Sequence, residues 1–192
     1  MYNIPTSITV SDKEYRIRNN GDFRVILDCF QALSDIELTA QERLLAALII
    51  FYEDFDTIEN ISSDDTEQLV LSMFKFFNCN SESSNTGPNK KLIDWEQDEQ
   101  LICSAINKVC NKEIRLEPYV HWWTFLGYFA AIGDAPISTI MQIRDKIISG
   151  KKLERHEREY RMNNPQYFIW NHKSIEEQEA EKLVKEIWDS GG

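Results

Sequence analysis

The chain has 192 residues, of which 42% are hydrophobic and 28% are charged, and its formal net charge at pH 7 is -11. A chain of this length can bury a core without a metal or a disulfide, and the composition excludes a disordered chain. An acidic surface repels phosphate backbones and anionic membranes, so we expect neither nucleic acid nor a membrane as partner.

The N-terminal segment predicts a small β-hairpin over residues 7–17, because apolar and polar residues alternate around a polar break at residues 11–13. A lone hairpin is only marginally stable, so we expect it to pack on helices. The first residues lack the basic start and apolar core of a signal peptide. The apolar run 44–52 is far shorter than the roughly 20 residues that span a bilayer. We therefore expect a cytosolic protein with reduced thiols.

Helical patterns fill most of the remaining chain. A first helix is expected over residues 22–33, a capping box of Thr39 and Glu42 opens a second, and Asp64 with Glu67 opens a third. Residues 78–90 are polar and rich in turn formers, which indicates a linker. The predicted fold class is mainly α: a compact domain of about seven helices over residues 1–165, with the hairpin at its N-terminus.

The second half begins with a helix from about Asp94 through Val109. Asp94, Glu96, Asp98 and Glu99 at its start are candidates for paired carboxylates, but we interpret them as a solvated first turn that complements the helix dipole. Cys103 and Cys110, seven positions apart, are interpreted as small buried apolar residues. Helices around residues 122–129 and 140–148 follow, and Gly150 is the expected stop of the latter.

Patterns typical of catalytic, cofactor or metal sites do not occur in this sequence. The histidines at 121, 156 and 172 are isolated, and no second His follows His156 at metalloprotease spacing. The Gly150-Lys151-Lys152 run lacks the earlier Gly and the following Ser or Thr of a phosphate loop. No nucleophile elbow or dinucleotide turn is present. We therefore predict no catalytic residues, no cofactor and no metal, hence no enzyme.

Three segments are candidates for partner binding. Trp122 and Trp123 cannot share one helix face, since neighbours are about 100° apart; Trp122 fits the core, and one of the pair can face a partner or a second packed layer. Residues 144–161 carry seven Lys or Arg against four acids, a balance of +3. They fit a solvated helix face, a docking strip for an acidic partner such as a neighbouring subunit, or an RNA contact.

The third candidate lies in residues 166–192, where Ser174 and Glu177 cap a predicted amphipathic helix that docks on its own core or acts as an arm. The candidate partner-binding residues of the three segments are Trp122, Trp123, Tyr128, Arg144, Lys151, Lys152, Arg155, Leu183, Ile187 and Trp188.

Several short motifs together resemble one family, the bacteriophage Gp-fifteen family of tail gene clusters in siphophages and prophages of Gram-positive bacteria. They are Asp94-x-Glu96-Gln97-Asp98, Ile102-x-x-Ala105, His121-Trp122-Trp123-x-Phe125, Ile140-x-x-Ile143-Arg144, Tyr15 in the hairpin and Asp22-Phe23-Arg24. The resemblance covers about residues 5–165 and leaves 166–192 unmatched.

What the resemblance implies is a tail assembly chaperone. Such a protein would coat the tape measure protein in the host cytoplasm and be absent from the mature virion. The charge asymmetry between an acidic body and a basic strip adds an expectation of self-association. The alternatives are a structural tail or virion component, and a host-directed or regulatory phage protein.

Overall fold

The computed structural model describes residues 3–53, 55, 61–81 and 91–170. In this part of the chain the fold consists of one two-stranded antiparallel sheet and seven α-helices. The predicted class, mainly α with a small N-terminal hairpin, is therefore confirmed. Most of the predicted linker, residues 82–90, and the predicted C-terminal helix with Leu183, Ile187 and Trp188 lie outside the described residues.

The strands are β1 (Ser7–Val10) and β2 (Lys13–Arg16). The helices are α1 (Phe23–Ser34), α2 (Ala40–Phe51), α3 (Ser63–Phe77), α4 (Glu99–Cys110), α5 (Trp122–Ala130), α6 (Pro136–Ile148) and α7 (Arg155–Asn163). The described residues form two compact units. The first holds the hairpin, α1 to α3 and residues 119–123; the second holds α4, residues 124–130, α6 and α7.

The hairpin belongs to the first unit and packs against α3. Its two turn residues, Ser11 and Asp12, both have positive φ (48° and 62°), as a two-residue type I′ turn requires. Tyr15 on β2 is buried, with its ring centroid 5.9 Å from that of Tyr52. The hairpin therefore buries one face on helices, as expected for a pair of strands too small to be stable alone.

Local capping decides where the helices of the first unit begin. The Thr39 hydroxyl accepts the N–H of Glu42 at 3.3 Å, and the Glu42 carboxylate accepts the N–H of Thr39 at 2.7 Å. This confirms the predicted capping box. The expectation that Asp64 opens α3 was wrong, because the Ser62 hydroxyl accepts the N–H of Asp65 at 3.0 Å and caps the helix earlier.

The core of the first unit is largely aromatic. Phe51 of α2 lies edge to face with Phe76 and Phe77 at the end of α3, with centroid separations of 5.3 Å and 5.5 Å. Tyr52 is 1% exposed and its hydroxyl donates to the carbonyl of Leu69 at 2.9 Å. Edge-to-face pairs of this kind add to the stabilisation that burial of the ring area gives.

The second unit buries apolar faces of α4 and α6, which pack on each other. The buried residues of the two helices are Ile102, Cys103, Ala105, Ile106, Ile137, Ile140 and Ile143. Helix α6 ends at Ile148 and is terminated by Gly150, whose φ is +64°. The N–H of Gly150 donates to the carbonyl of Ile147, and the N–H of Lys151 donates to the carbonyl of Lys146. This is a Schellman motif, so the predicted stop is confirmed.

All four cysteines are free. Cys103 is buried, as predicted, whereas Cys110 is half-buried with its Sγ 3.4 Å from the carbonyl oxygen of Lys112.

Candidate interaction surfaces

The described ranges, 3–53, 55, 61–81 and 91–170, contain no helix that is long and apolar enough to cross a membrane. In the same ranges, no group of three His, Cys, Asp or Glu residues is placed to hold a metal ion. Side chains that make several hydrogen bonds or ion pairs instead lie around the His-Trp-Trp segment of the first unit and around Arg144 in the second.

Trp122 is part of the core of the first unit. Its side chain is 1% exposed, its Nε1 donates to the carbonyl of Phe77 at 2.9 Å, and its ring lies 5.7 Å from that of Phe30. Burial leaves no area of this indole for a partner in this conformation, which fits its interpretation as core.

The neighbouring Trp123 also donates its indole N–H to a main-chain carbonyl of α3, one residue earlier in that helix. Its Nε1 donates to the carbonyl of Phe76 at 2.9 Å, and its ring is half-buried, 5.8 Å from the Phe76 ring. Phe76 and Phe77 end α3, where the last carbonyls lack helical partners. Two consecutive tryptophans thus cap the C-terminus of one helix, a role that their adjacency in sequence did not indicate.

The side chain of His121 accepts a main-chain N–H at the start of α5. Its Nδ1 accepts the N–H of Trp123 at 3.1 Å, and its Nε2 lies 3.0 Å from the carbonyl oxygen of Pro5. These contacts require a neutral imidazole that carries its proton on Nε2. The side chain is 2% exposed, and burial lowers the pKa of His121, opposed by the contact with Pro5 and the charge of Asp22. The sequence pattern did not predict this cap, since His is not a usual capping residue.

Arg144 is a buried ion-pair partner rather than a surface residue. It is 3% exposed, and its guanidinium holds Asp98, which is 0% exposed, by two contacts of 2.5 Å and 3.0 Å. Its other N–H groups donate to the carbonyls of Leu92 at 3.0 Å and Tyr167 at 2.9 Å. Every donor of this fork is occupied, so the predicted partner-binding role finds no accessible group here.

The acidic stretch before α4 differs from the predicted solvated turn. Glu96 and Glu99 are exposed, but Asp94 is 7% exposed and Asp98 is fully buried. Asp98 accepts the N–H of Asp94 at 3.0 Å, and Asp94 pairs with Lys91 at 2.8 Å. Burial opposes ionisation of Asp94, but the N–H of Gln97 and the Lys91 ammonium prevail and lower its pKa. The interpretation was wrong for these two carboxylates because their cationic partners are distant in sequence or outside the helix.

Residues 166–170 are held to the rest of the second unit by main-chain carbonyls and by the Trp170 ring. The Gln97 Nε2 donates to the carbonyls of Gln166 and Ile169 at 2.8 Å and 2.9 Å. The Trp170 ring centroid lies 4.2 Å from the Arg144 Cζ and 5.0 Å from the Lys91 Nζ. Cation–π contacts of this kind are strongest where water is excluded. This attachment continues the arrangement around Arg144 to the last described residue.

The chain matches a family model described as Bacteriophage Gp15 protein over residues 2–168. It belongs to the bacteriophage Gp15 protein family. No curated protein and no solved structure matches the chain. The family match covers the hairpin, the seven helices of the described residues and the Asp98–Arg144 pair, so the motifs that carry the resemblance lie within it.

In this Gp15-family protein the basic segment is divided by its intramolecular bonds. Lys146 pairs with Glu157 at 2.6 Å, and the exposed Arg155 pairs with Glu159 at 2.9 Å. Four further cations are exposed and make no ion pair within the described residues. These are Lys151, Lys152, Arg158 and Arg161. A solvated mixed-charge helix therefore describes α7 only in part, because a cationic surface remains.

The predicted partner-binding set is thus separated by burial. Trp122 and Arg144 are interior, Trp123 and Tyr128 are half-buried, and Lys151, Lys152 and Arg155 are exposed. Leu183, Ile187 and Trp188 lie outside the described residues.

Two apolar helix faces were not predicted as exposed. Leu45 and Ile49 of α2 are 50% and 36% exposed, and Leu71 and Phe74 of α3 are 46% and 37% exposed. Each pair is three or four residues apart and so lies on one side of its helix. The sequence does contain a signal for the first pair, since the apolar run 44–52 continues around the helix and is too wide for one buried stripe.

Proposed function

We propose that this Gp15-family protein is a non-enzymatic tail assembly chaperone that binds the tape measure protein in the host cytoplasm and is absent from the mature virion. The observation that carries the proposal is the pair of outward apolar faces, Leu45 with Ile49 and Leu71 with Phe74, on a protein whose family is a phage family. A helix that is apolar on its exposed side is typical of an element that packs on another helix.

The chemistry of these faces fits a long helical partner with apolar stripes. Side chains spaced by one helical turn dock onto the apolar face of another helix. A chaperone must also release its client, which favours several modest contacts along a rod over one very tight site. The net charge of -11 would keep such a complex soluble.

Co-expression tests this proposal directly. The tape measure protein of the same phage is produced alone, with this protein, and with the variant Leu45→Gln/Ile49→Gln, and its soluble and co-purified fractions are measured. We expect solubility and co-purification with the natural chain and a several-fold loss with the variant, because the substitutions replace apolar contact area with amides.

The matched control is Leu116→Gln, which changes another highly exposed leucine (82%) outside the two faces. It should behave as the natural chain does. Equal solubility of the tape measure protein with and without this protein would contradict the proposal.

Mass spectrometry of purified virions separates the chaperone from a structural part. We expect this protein to be missing from washed particles while the tape measure protein is present. Stoichiometric recovery in the particles would replace the proposal with a structural tail component. Co-purification with a host protein in place of the tape measure protein would favour a host-directed role.

A further inference from the structure

We propose that the protein associates with itself head to tail, through a basic strip on one copy and an acidic corner on the next. The basic strip is Lys151, Lys152, Arg158 and Arg161 in the second unit. The acidic corner consists of four exposed acids of the first unit: Asp28 within α1, Asp35 and Glu37 in the connection of α1 and α2, and Glu42 in the first turn of α2. This goes beyond the proposed function and holds whether or not the tape measure protein is the client.

The strip carries positive charge that no ion pair within the described residues neutralises. The other cations of residues 144–161 form ion pairs within the chain: Arg144 with Asp98, Lys146 with Glu157 and Arg155 with Glu159. The four strip residues are exposed and form no ion pair within residues 91–170 or the other described ranges. Arg158 donates one N–H to the carbonyl of Leu153 at 2.9 Å, which holds its guanidinium group in place without neutralising its charge.

An exposed apolar side chain lies among these cations. Met162 is 79% exposed and follows Arg158 by four residues and Arg161 by one on α7. Methionine adapts its shape to different apolar surfaces and is common at binding faces. The strip is therefore not a purely solvated charge cluster, since it combines guanidinium groups with uncovered apolar area.

The first unit has an excess of negative charge. Its described residues contain six Lys and Arg against eleven Asp and Glu, a balance of -5, whereas those of the second unit contain eleven of each. No Lys or Arg occurs between Arg24 and Arg43, and Arg43 itself is buried (8% exposed) with its Nε donating to the carbonyl of Leu38. The four corner acids form no ion pair within the described part of the chain.

The charges around the strip favour an acidic protein surface over a nucleic acid as its partner. Glu154 and Glu159 interrupt the strip and the chain as a whole is acidic, so the closely spaced charges of a phosphate backbone would be repelled, whereas separate carboxylates can each pair with one strip cation. A carboxylate surface fits guanidinium and ammonium groups, and this protein presents one on its own first unit. Because strip and corner are different surfaces, the contact is heterologous, and each bound copy still offers one free surface to a further copy.

Sedimentation velocity on the full chain tests the inference. At about 0.15 M salt the Debye length is about 8 Å, so repulsion between whole molecules is screened while contacting pairs persist. We expect oligomers there that dissociate at about 1 M salt. Lys151→Glu/Lys152→Glu and Asp28→Lys/Glu37→Lys should each shift the protein to monomer. An equimolar mixture of the two variants should form heterodimers, because each supplies one natural surface.

Lys75→Glu/Lys108→Glu is the matched control, since it makes the same change of net charge at two exposed lysines outside the strip. It should keep the oligomers. Equal mass for the strip variant and this control, or no recovery in the mixture, would overturn the inference. Loss of oligomers on Glu176→Lys/Glu177→Lys, with the corner variant unaffected, would overturn it as well and assign the strip to the acidic residues 176–189 instead.

Discussion

Arg144 was predicted from the sequence as a partner-binding residue, and in the structure its side chain is buried. Its guanidinium and the Asp98 carboxylate are buried together, and its remaining N–H groups hold two main-chain carbonyls. Arg144→Met should lower the free energy of unfolding by about 3–5 kcal/mol, because Asp98 would remain as an unpaired buried charge. Urea denaturation followed by circular dichroism measures this change.

Two further variants separate the ion pair from general damage. Arg155→Met removes an exposed pair and should cost less than about 1 kcal/mol. The double replacement Asp98→Leu/Arg144→Met should recover part of the loss, since no charge is then left buried alone. If Arg144→Met proved as mild as Arg155→Met, Arg144 would not be the buried anchor described here.

His121 predicts a pH dependence with a defined sign. Burial lowers its pKa in the folded state, despite the opposing contacts with Pro5 and Asp22, so the unfolded chain binds the proton more tightly. The contribution of His121 to stability is therefore complete above its unfolded pKa of about 6.5 and declines as the pH falls below it. Denaturation at about pH 7.5 and about pH 5.5 should show a larger loss for the natural chain than for His121→Gln.

His156 provides the control, because its side chain is 75% exposed. His156→Gln should retain the full loss of stability on acidification. If His121→Gln retained it too, the carboxylates of the protein would account for the pH dependence and His121 would not.

At the scale of elements, two glycines show where backbone freedom is needed. Gly21, which precedes α1 by two residues, has φ +77°, and a Cβ there would lie 2.8 Å from the Phe76 Cζ. Gly127 is inside α5, and a Cβ there meets nothing within 4 Å. Gly21→Ala should therefore destabilise the protein by more than about 1 kcal/mol, whereas Gly127→Ala should stabilise it by about 0.5–1 kcal/mol.

Thermal unfolding of the two alanine variants checks this pair. A lower midpoint for Gly21→Ala and a higher one for Gly127→Ala is expected. A destabilising Gly127→Ala would mean that the outer side of α5 is covered in solution, and that this surface takes part in an interface.

Elements governed by neighbours in sequence could be predicted. The hairpin, the Thr39 capping box and the Gly150 stop all depend on residues a few positions apart. The Asp98–Arg144 pair joins residues that are 46 positions apart, so no local pattern distinguishes these charges from solvated ones. The tryptophan caps of α3 depend on residues 45 and 47 positions away for the same reason.

At the scale of the whole molecule, family membership and fold class were accessible from motifs and periodicity, but the available surfaces were not. Of the predicted partner-binding residues, Trp122 and Arg144 are buried in the structure, whereas Lys151 and Lys152 are exposed. The exposed apolar faces could not be predicted, because the sides of α2 and α3 that remain open depend on how α1, α2 and α3 pack on one another. Glu42 of the acidic corner lies one turn from Leu45 on α2. The self-association contact is ionic, however, and Leu45→Gln/Ile49→Gln changes no charge, so this variant should leave salt-dependent self-association intact while client binding falls.

The attachment of residues 166–170 has one further consequence. Gln97 and Arg144 bind the carbonyl oxygens of Gln166, Tyr167 and Ile169, which every amino acid possesses. These hydrogen bonds therefore depend on the main chain and not on the side chains of residues 166, 167 and 169. Substitutions at 166 and 169 can accumulate among related phages without loosening them, so sequence variability there would be a poor sign of structural freedom.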